Sequence, residues 1–204
     1  MSLSPASQSS DNCQRVRCDG SKSDYAAPCY TIQPFGNHRC IHFGRVATQC
    51  QIKQGRIVPM EQMNVNTAFI DASQIYGSTR EMAESVRELR RNRGLMKYVQ
   101  GVLGDFLSPD NRQLMAPASF CHRFGGCFLA GDTRVSEHLL LASMHIIFSR
   151  EHNRIARILA KLNPHWNGEI IYQETRRIVG AVLQKISYED FLPIIIGNTL
   201  PYYK

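Results

Sequence analysis

Between Thr133 and Ile186 the apolar residues recur at three- and four-residue intervals, and this periodicity constrains the fold more than any other feature of the chain. Leu140, Met144, Ile147, Ile155, Ile158 and Leu159 form one such series and Ile171, Ile178, Val179, Val182, Leu183 and Ile186 a second. Spacing of this kind places side chains on one stripe of an α-helix. Asn163-Pro164 ends the first series, Asn167-Gly168 opens the second, and Pro193 closes it. Two long helices joined by a short break pack against each other, so the spacing predicts a mainly α fold. An earlier helix is predicted with Ser78 or Thr79 as its cap, Glu81 in its first turn and Gly94 as its stop.

The chain has no repeat and no long low-complexity linker, and it divides into three regions. Residues 1–62 read as irregular, rich in Gly, Pro and Cys, with a short apolar run from Gln51 to Val58. Residues 63–127 hold the single earlier helix, and residues 128–204 hold the two long ones. With 204 residues, 43% of them hydrophobic and 20% charged, the chain can bury a core. No stretch reaches the ~18 apolar residues that a membrane span requires.

The formal charge of +7 suits an acidic partner such as nucleic acid, anionic lipid or an extracellular polyanion. The densest basic segment, Arg87 to Arg93, shares its surroundings with Glu81, Glu84 and Glu88. A solvated amphipathic helix accounts for it, and no nucleic-acid motif or basic-aromatic alternation accompanies it. No nucleic-acid partner is expected.

The seven cysteines are unevenly placed: Cys13, Cys18, Cys29, Cys40 and Cys50 early, Cys121 and Cys127 later. None forms a C-x-x-C pair, which argues against a zinc module and for disulfides, each worth about 2–4 kcal/mol, in an oxidising compartment. The odd cysteine implies a free thiol, a link to another chain, or a partner outside this sequence. The polar start MSLSPASQSSDN is not a signal peptide. A chain with reduced thiols or one beginning partway through a longer protein would both fit.

Two segments carry chemistry. In Thr67 to Ser73, oxygen-bearing groups fall on alternate residues: the Thr67 and Ser73 hydroxyls, the Asp71 carboxylate and the Phe69 carbonyl make a hard set suited to calcium. One carboxylate rarely holds calcium, and a half-buried strand packing Phe69 and Ile70 gives the same pattern. The second segment runs from Cys127 through FLAGDTR to Glu137. If Asp132 or Thr133 caps a helix, Arg134 and Glu137 emerge on one face, either as a surface salt bridge or as a permanent cation aimed at an oxygen substrate beside a carboxylate. His138, His145 and His152 lie seven apart, about 10 Å along a helix, too far to share a metal. Structural histidines satisfied by hydrogen bonds are expected.

The blocks FIDASQIYGS from Phe69, FLAGDTR ending at Arg134, SMH at Ser143 to His145, REHNRIA from Arg150, LNPHWNGE from Leu162 and YQETRRIVGA from Tyr172 resemble the animal haem peroxidase family. They stand in the family's order over about residues 63–197. The resemblance implies the central helical portion of that fold, with distal-side helices in residues 128–204 and a disulfide-rich N-terminal segment. It implies a secreted protein using hydrogen peroxide to oxidise a halide or phenolic donor. The implied cofactors are haem b, covalently attached in the complete protein, and Ca2+. Thr67, Phe69, Asp71 and Ser73 match most of the family's calcium ligands, the rest lying beside the distal histidine. Arg134 matches the distal arginine and Glu137 the carboxylate esterified to a haem methyl. Where some members carry a methionine bonded to haem, this chain has His138, as in the peroxidasin-like branch.

The family's Asp-His-Asp and its proximal histidine have no counterpart in these 204 residues. The resemblance therefore implies a partial domain, without peroxidase turnover by itself. A non-catalytic, calcium-binding module with an extracellular-matrix partner is the alternative function. Cys13–Cys29, Cys18–Cys40 and Cys121–Cys127 are the implied disulfides, with Cys50 left over.

Overall fold

The computed structural model describes residues 29–32, 41–44, 52–53, 55–57, 64, 66–111, 121 and 126–197. It divides into two compact units, Met1–Asn66 and Thr67–Lys204.

In the first unit, β1 (Cys29–Ile32) pairs antiparallel with β2 (Ile41–Gly44), Cys29 opposite Gly44. β3 (Ile52–Lys53) and β4 (Arg56–Ile57) form a tight hairpin. Gly55 takes φ 73° there, a left-handed turn conformation that glycine adopts without a Cβ penalty. The described residues of this unit are thus short strand pairs rather than irregular chain. The pairings Cys13–Cys29 and Cys18–Cys40 and the state of Cys50 fall outside the described residues.

The second unit is mostly helical, as the periodicity predicts. It opens with α1 (Ser73–Tyr76) and α2 (Arg80–Ser85). Thr79 caps α2, its hydroxyl accepting from Met82 N at 3.2 Å, with Glu81 in the first turn. The helix does not run on to Gly94. Instead the chain folds back: Glu88 N donates to Leu95 O at 2.9 Å and Lys97 N to Val86 O at 2.8 Å. The Arg87–Arg93 segment is therefore the tip of a loop and not an amphipathic helix. The cause is the turn chemistry of Asn92 (φ 46°) and Gly94 (φ 71°), together with burial of Leu95 and Met96. A second hairpin follows, β5 (Val99–Gly101) with β6 (Gly104–Phe106).

The long helices are α3 (Leu139–Leu162) and α4 (Gly168–Lys185), which pack along one another. Asn163 ends α3, and Asn167 caps α4 by accepting from Ile170 N at 2.9 Å. Beyond α4 the helix continues through a π-helical stretch, Ile186–Phe191, into α5 (Leu192–Ile196), so Pro193 does not close the second series but lies within this helical run, at the start of α5. None of the described helices is long and apolar enough to cross a membrane.

The start of α3 is a correction: it lies at Leu139, with the His138 ring accepting from Leu140 N at 3.1 Å, and not near Thr133. The face of α3 that is buried is also not the apolar series. Ala142, His145, Ser149, His152, Asn153 and Ala156 are buried at helical spacing, while Leu140, Met144 and Ile147 are at least half exposed. The buried polar face grips the 94–106 hairpins. Arg150 donates to the carbonyls of Asp105 (2.5 Å) and Leu103 (3.3 Å). The Asn153 amide accepts from Met96 N at 2.8 Å and donates to Met96 O at 3.2 Å. His152 bridges Tyr76 Oη (2.9 Å) and Gly94 O (2.9 Å). The main core joins Ala72, Ile75 and Tyr76 of the α1 region to Val86, Met96, Tyr172 and Val179. A separate cluster of Leu95, Ala156 and Ile171 takes Trp166 from the α3–α4 connection.

Candidate functional site

The oxygens of the Thr67–Ser73 loop converge. Thr67 Oγ1 lies 3.1 Å from Phe69 O, 3.2 Å from Asp71 Oδ1 and 3.2 Å from Ser73 Oγ. Asp71 Oδ1 also accepts from Ser73 N at 2.9 Å, which curls the loop onto the start of α1. Ala72 makes the curl with φ 61°, a left-handed conformation costing on the order of 1–2 kcal/mol for alanine, while its methyl packs in the core at 1% exposure. From α4, Gln184 donates to Ile70 O at 2.9 Å and holds the loop from the other side. Phe69 is 80% exposed and outside any strand, so a packed half-buried strand is not what this segment forms.

Electrostatically the cluster is oxygen-rich. Thr67 Oγ1 has one proton for two acceptor-only oxygens, Phe69 O and Asp71 Oδ1, so even with Ser73 Oγ donating to it one contact sets lone pair against lone pair. A hard cation resolves that arrangement, and oxygens about 3 Å apart match the edge of a shell with 2.3–2.6 Å metal–oxygen bonds. Among the described residues no group of three or more His, Cys, Asp or Glu could hold a metal ion. This loop differs in kind, drawing on hydroxyls, a carbonyl and one carboxylate.

Arg134 sits in an irregular turn between the Cys121–Cys127 loop and α3. The two sulfurs are bonded, as the resemblance implies, with Cα atoms 4.9 Å apart. The incoming strand is fixed by Leu129 N donating to Ser108 O (2.8 Å) and Phe128 N to Ser136 Oγ (3.0 Å). Arg134 and Glu137 do not share a helix face, because the helix has not begun. Arg134 instead makes a two-pronged pair with Asp132, Nε to Oδ1 at 2.9 Å and Nη2 to Oδ2 at 2.6 Å, with its own N–H on Oδ1 at 2.8 Å. Burial pushes the Asp132 carboxyl up, but the Arg134 side-chain and main-chain hydrogen bonds and its charge more than offset this and hold it below the usual carboxylate range. Arg134 is raised in turn, first by its bond to Asp132. Of the five guanidinium N–H donors Asp132 takes two, leaving three for another oxygen. Glu137 is exposed one turn further on, its N–H donating to Arg134 O at 2.9 Å.

Gly131 joins the two segments. A Cβ on it would lie 2.3 Å from Gly77 N and 2.5 Å from Ser73 O, so the Arg134 turn rests directly on the backbone of α1, the helix that starts at Ser73. Two features were not legible in advance. Asp132 reads as a possible cap in the sequence and acts as the clamp on Arg134. Gly131 beside it was the available signal, since an invading backbone needs a residue without a side chain. The histidines take separate roles. His152 is fully buried with both ring nitrogens bonded, and burial first lowers its pKa to about 4. His145 bonds Leu141 O at 2.8 Å through Nδ1, while its buried Nε2 has no partner among the described residues. His138 caps α3.

The family model for animal haem peroxidase matches residues 1–203. Lactoperoxidase of Mesocricetus auratus is 40% identical over 202 residues, 94% of this chain and 28% of that protein. The human peroxidasin homolog is 42% identical over 188 residues, 84% of this chain and 13% of that protein. The chain thus spans well under a third of either relative. Among solved structures, peroxidase A from Dictyostelium discoideum aligns with a TM-score of 0.63 at 26% identity, over 76% of this chain and 32% of that one. A rice fatty acid alpha-dioxygenase shares the fold, with a TM-score of 0.58 at 20% identity, over 82% of this chain and 25% of that one. A family match over nearly every residue, with the FLAGDTR turn and the Thr67–Ser73 loop held against the same short helix, makes this chain a member of the animal haem peroxidase family.

Proposed function

We propose that the chain supplies the distal arginine, a haem-attachment carboxylate and most of a calcium site to a secreted haem peroxidase that oxidises halide or phenolic donors with hydrogen peroxide. The observation that carries this reading is the Asp132 clamp on Arg134. A guanidinium fixed by two hydrogen bonds keeps its aim, and its remaining N–H groups meet negative charge as it develops on a peroxide oxygen. Haem, when bound, supplies the redox chemistry. Arg134 orients peroxide and stabilises charge as the O–O bond parts. Glu137, exposed and close enough for its charge to act on Arg134, offers the carboxylate for ester attachment. The bonded pair Cys121–Cys127 supports an oxidising compartment.

The test is recovery of the complete transcript and assay of the encoded protein. Arg134→Gln is expected to lower the rate constant with peroxide by about 10²–10³, the range for losing one preorganised donor, with haem content unchanged. A wild-type rate in that variant would remove Arg134 from the mechanism. A transcript running only from Met1 to Lys204, with no haem uptake by its product, would replace the enzyme with the calcium-binding module.

Thr67, Phe69, Asp71 and Ser73 are proposed as ligands of one Ca2+. Asp71→Ala removes the only formal charge of the four, and calcium affinity is expected to fall by a factor of 100 or more. Isothermal titration on the protein encoded by the complete transcript checks this. Equal binding by wild type and variant would place any calcium elsewhere.

A further inference from the structure

The loop tip between α2 and β5 carries a second feature, unrelated to the peroxide site. Cations in this region fall into two groups. Arg80 is paired with Glu84 at 2.8 Å, Arg87 with Glu169 while lying 3.7 Å over the Tyr172 ring, and Lys97 donates to Ser85 O at 2.5 Å. Arg90, Arg91 and Arg93 are all exposed and make no ion pair among the described residues. The acid nearest them in sequence, Glu88, folds back on the tip's own backbone, both of its carboxylate oxygens accepting from Arg91 N at 3.2 Å.

The three free guanidiniums stand on a fixed base. Gly94 O accepts from the buried His152 ring at 2.9 Å. Asn92 O abuts the first residue of α4 so closely that a Cβ on Gly168 would come within 1.9 Å of it. Such anchoring lowers the ordering cost of binding, which otherwise opposes contact by long side chains. Two open clefts of about 690 and 590 Å³ flank the tip and share Arg90, Glu88 and Lys97; Arg91 and Arg93 line the smaller alone, while the larger adds Arg80, Arg87, Glu81 and Glu84. The smaller cleft is a trough with all three arginines and Lys97 against a single acid, cations set in a row for a linear ligand rather than a single small anion.

We infer that the Arg90–Arg91–Arg93 tip is a docking surface for a linear sulfated polysaccharide. Charge complementarity gives the polyanion: the chain carries +7 overall, and these are cations that no acid of the described residues neutralises. Arginine's planar fork suits bidentate contact with sulfate oxygens. A glycan is favoured over nucleic acid because single strands are held by stacking of bases on aromatic side chains. The one aromatic ring of the trough, Tyr98, is half-buried with Arg157 over it at 5.7 Å.

The experiment compares three forms of the 204-residue chain for binding to a heparin dodecasaccharide across a salt series. Arg90→Gln/Arg91→Gln/Arg93→Gln removes the tip. Arg154→Gln/Arg177→Gln/Lys185→Gln removes as much charge from exposed positions already paired with Glu151, Glu174 and Glu189. The tip variant is expected to bind at least tenfold more weakly and with a shallower salt dependence, by roughly three released counterions, while the charge-matched variant stays within about twofold of wild type. Equal losses in the two variants would reduce the effect to net charge and overturn the assignment. A thymidine oligonucleotide of matched charge that binds as tightly, with the same dependence on the tip, would overturn it in favour of nucleic acid.

Discussion

Lowering the pH from 7 to 4 is expected to remove roughly 3 kcal/mol from the unfolding free energy of the chain through His152 alone. The folded pKa is about 4 against 6.5 for the free side chain, and each unit is worth about 1.36 kcal/mol. The sign follows from proton uptake. The unfolded chain protonates His152 as pH falls through 6.5, while the folded chain resists until about 4. The contribution is therefore fully present above pH 6.5 and is lost as pH falls towards 4. The cause is geometric as well as dielectric. With Nε2–H donating to Gly94 O, Nδ1 is left to accept the Tyr76 hydroxyl proton, so both nitrogens are committed to the neutral form. Asp132 acts in the same direction at lower pH, because its carboxyl is held below its ordinary range. Urea unfolding of wild type and His152→Gln at pH 7 and pH 4.5 separates the two. The variant is expected to be less stable at pH 7, by about 2–3 kcal/mol, since Tyr76 and Gly94 lose a buried partner. Its stability should change little between the two pH values. A wild-type curve no steeper than that of the variant would mean that His152 is not the titrating group.

Gly131→Ala is expected to cost 3 kcal/mol or more and to damage both halves of the site at once. The added methyl would fall 2.3 Å from Gly77 N and 2.5 Å from Ser73 O. These two atoms are themselves hydrogen-bonded at 2.7 Å, the bond that closes α1. Backbone on both sides means that no rotamer change relieves the clash, so the cost belongs at or above the overpacking range of about 1–3 kcal/mol. Ser73 is the last residue of the oxygen cluster and Arg134 lies three residues beyond Gly131. The displacement should therefore weaken calcium binding at least tenfold as well as lower the urea midpoint. Gly180→Ala is the control. It sits in α4 with nothing nearer than 3.9 Å, where alanine's helix propensity stabilises by up to about 1 kcal/mol. Wild-type calcium affinity in Gly131→Ala would uncouple the two segments.

Both long helices were legible because apolar spacing reports helix geometry whatever the helix packs against. What that spacing does not report is which side faces inward. On α3 the buried face is His145, Ser149, His152 and Asn153, and two of these, His152 and Asn153, bond backbone groups of Gly94 and Met96 that apolar residues could not satisfy. Leu140, Met144 and Ile147 point outward among the described residues. The Arg87–Arg93 segment misread for a related reason: its charges suit a helix surface, but Asn92 and Gly94 in left-handed conformations decide the backbone. The Thr67–Ser73 loop was legible as an oxygen pattern, and its closure onto Thr67 depends on Ala72 taking a positive φ that no residue preference announces. Asp132 was visible only as a cap, since pairing with a residue two positions away has no periodic signature.

The chain's single tryptophan turns one packing detail into an instrument. Trp166 sits in the connection between α3 and α4, partly buried against Leu95, Ala156 and Ile171 and edge-on to His165 at 6.3 Å. Leu95 belongs to the segment that returns from the arginine tip. Intrinsic fluorescence therefore watches the junction of that loop with the helical pair and is blind to the oxygen cluster and to Arg134. A ligand on the tip should shift the emission, calcium should leave it unchanged, and the two binding events can be followed in one cuvette without a label.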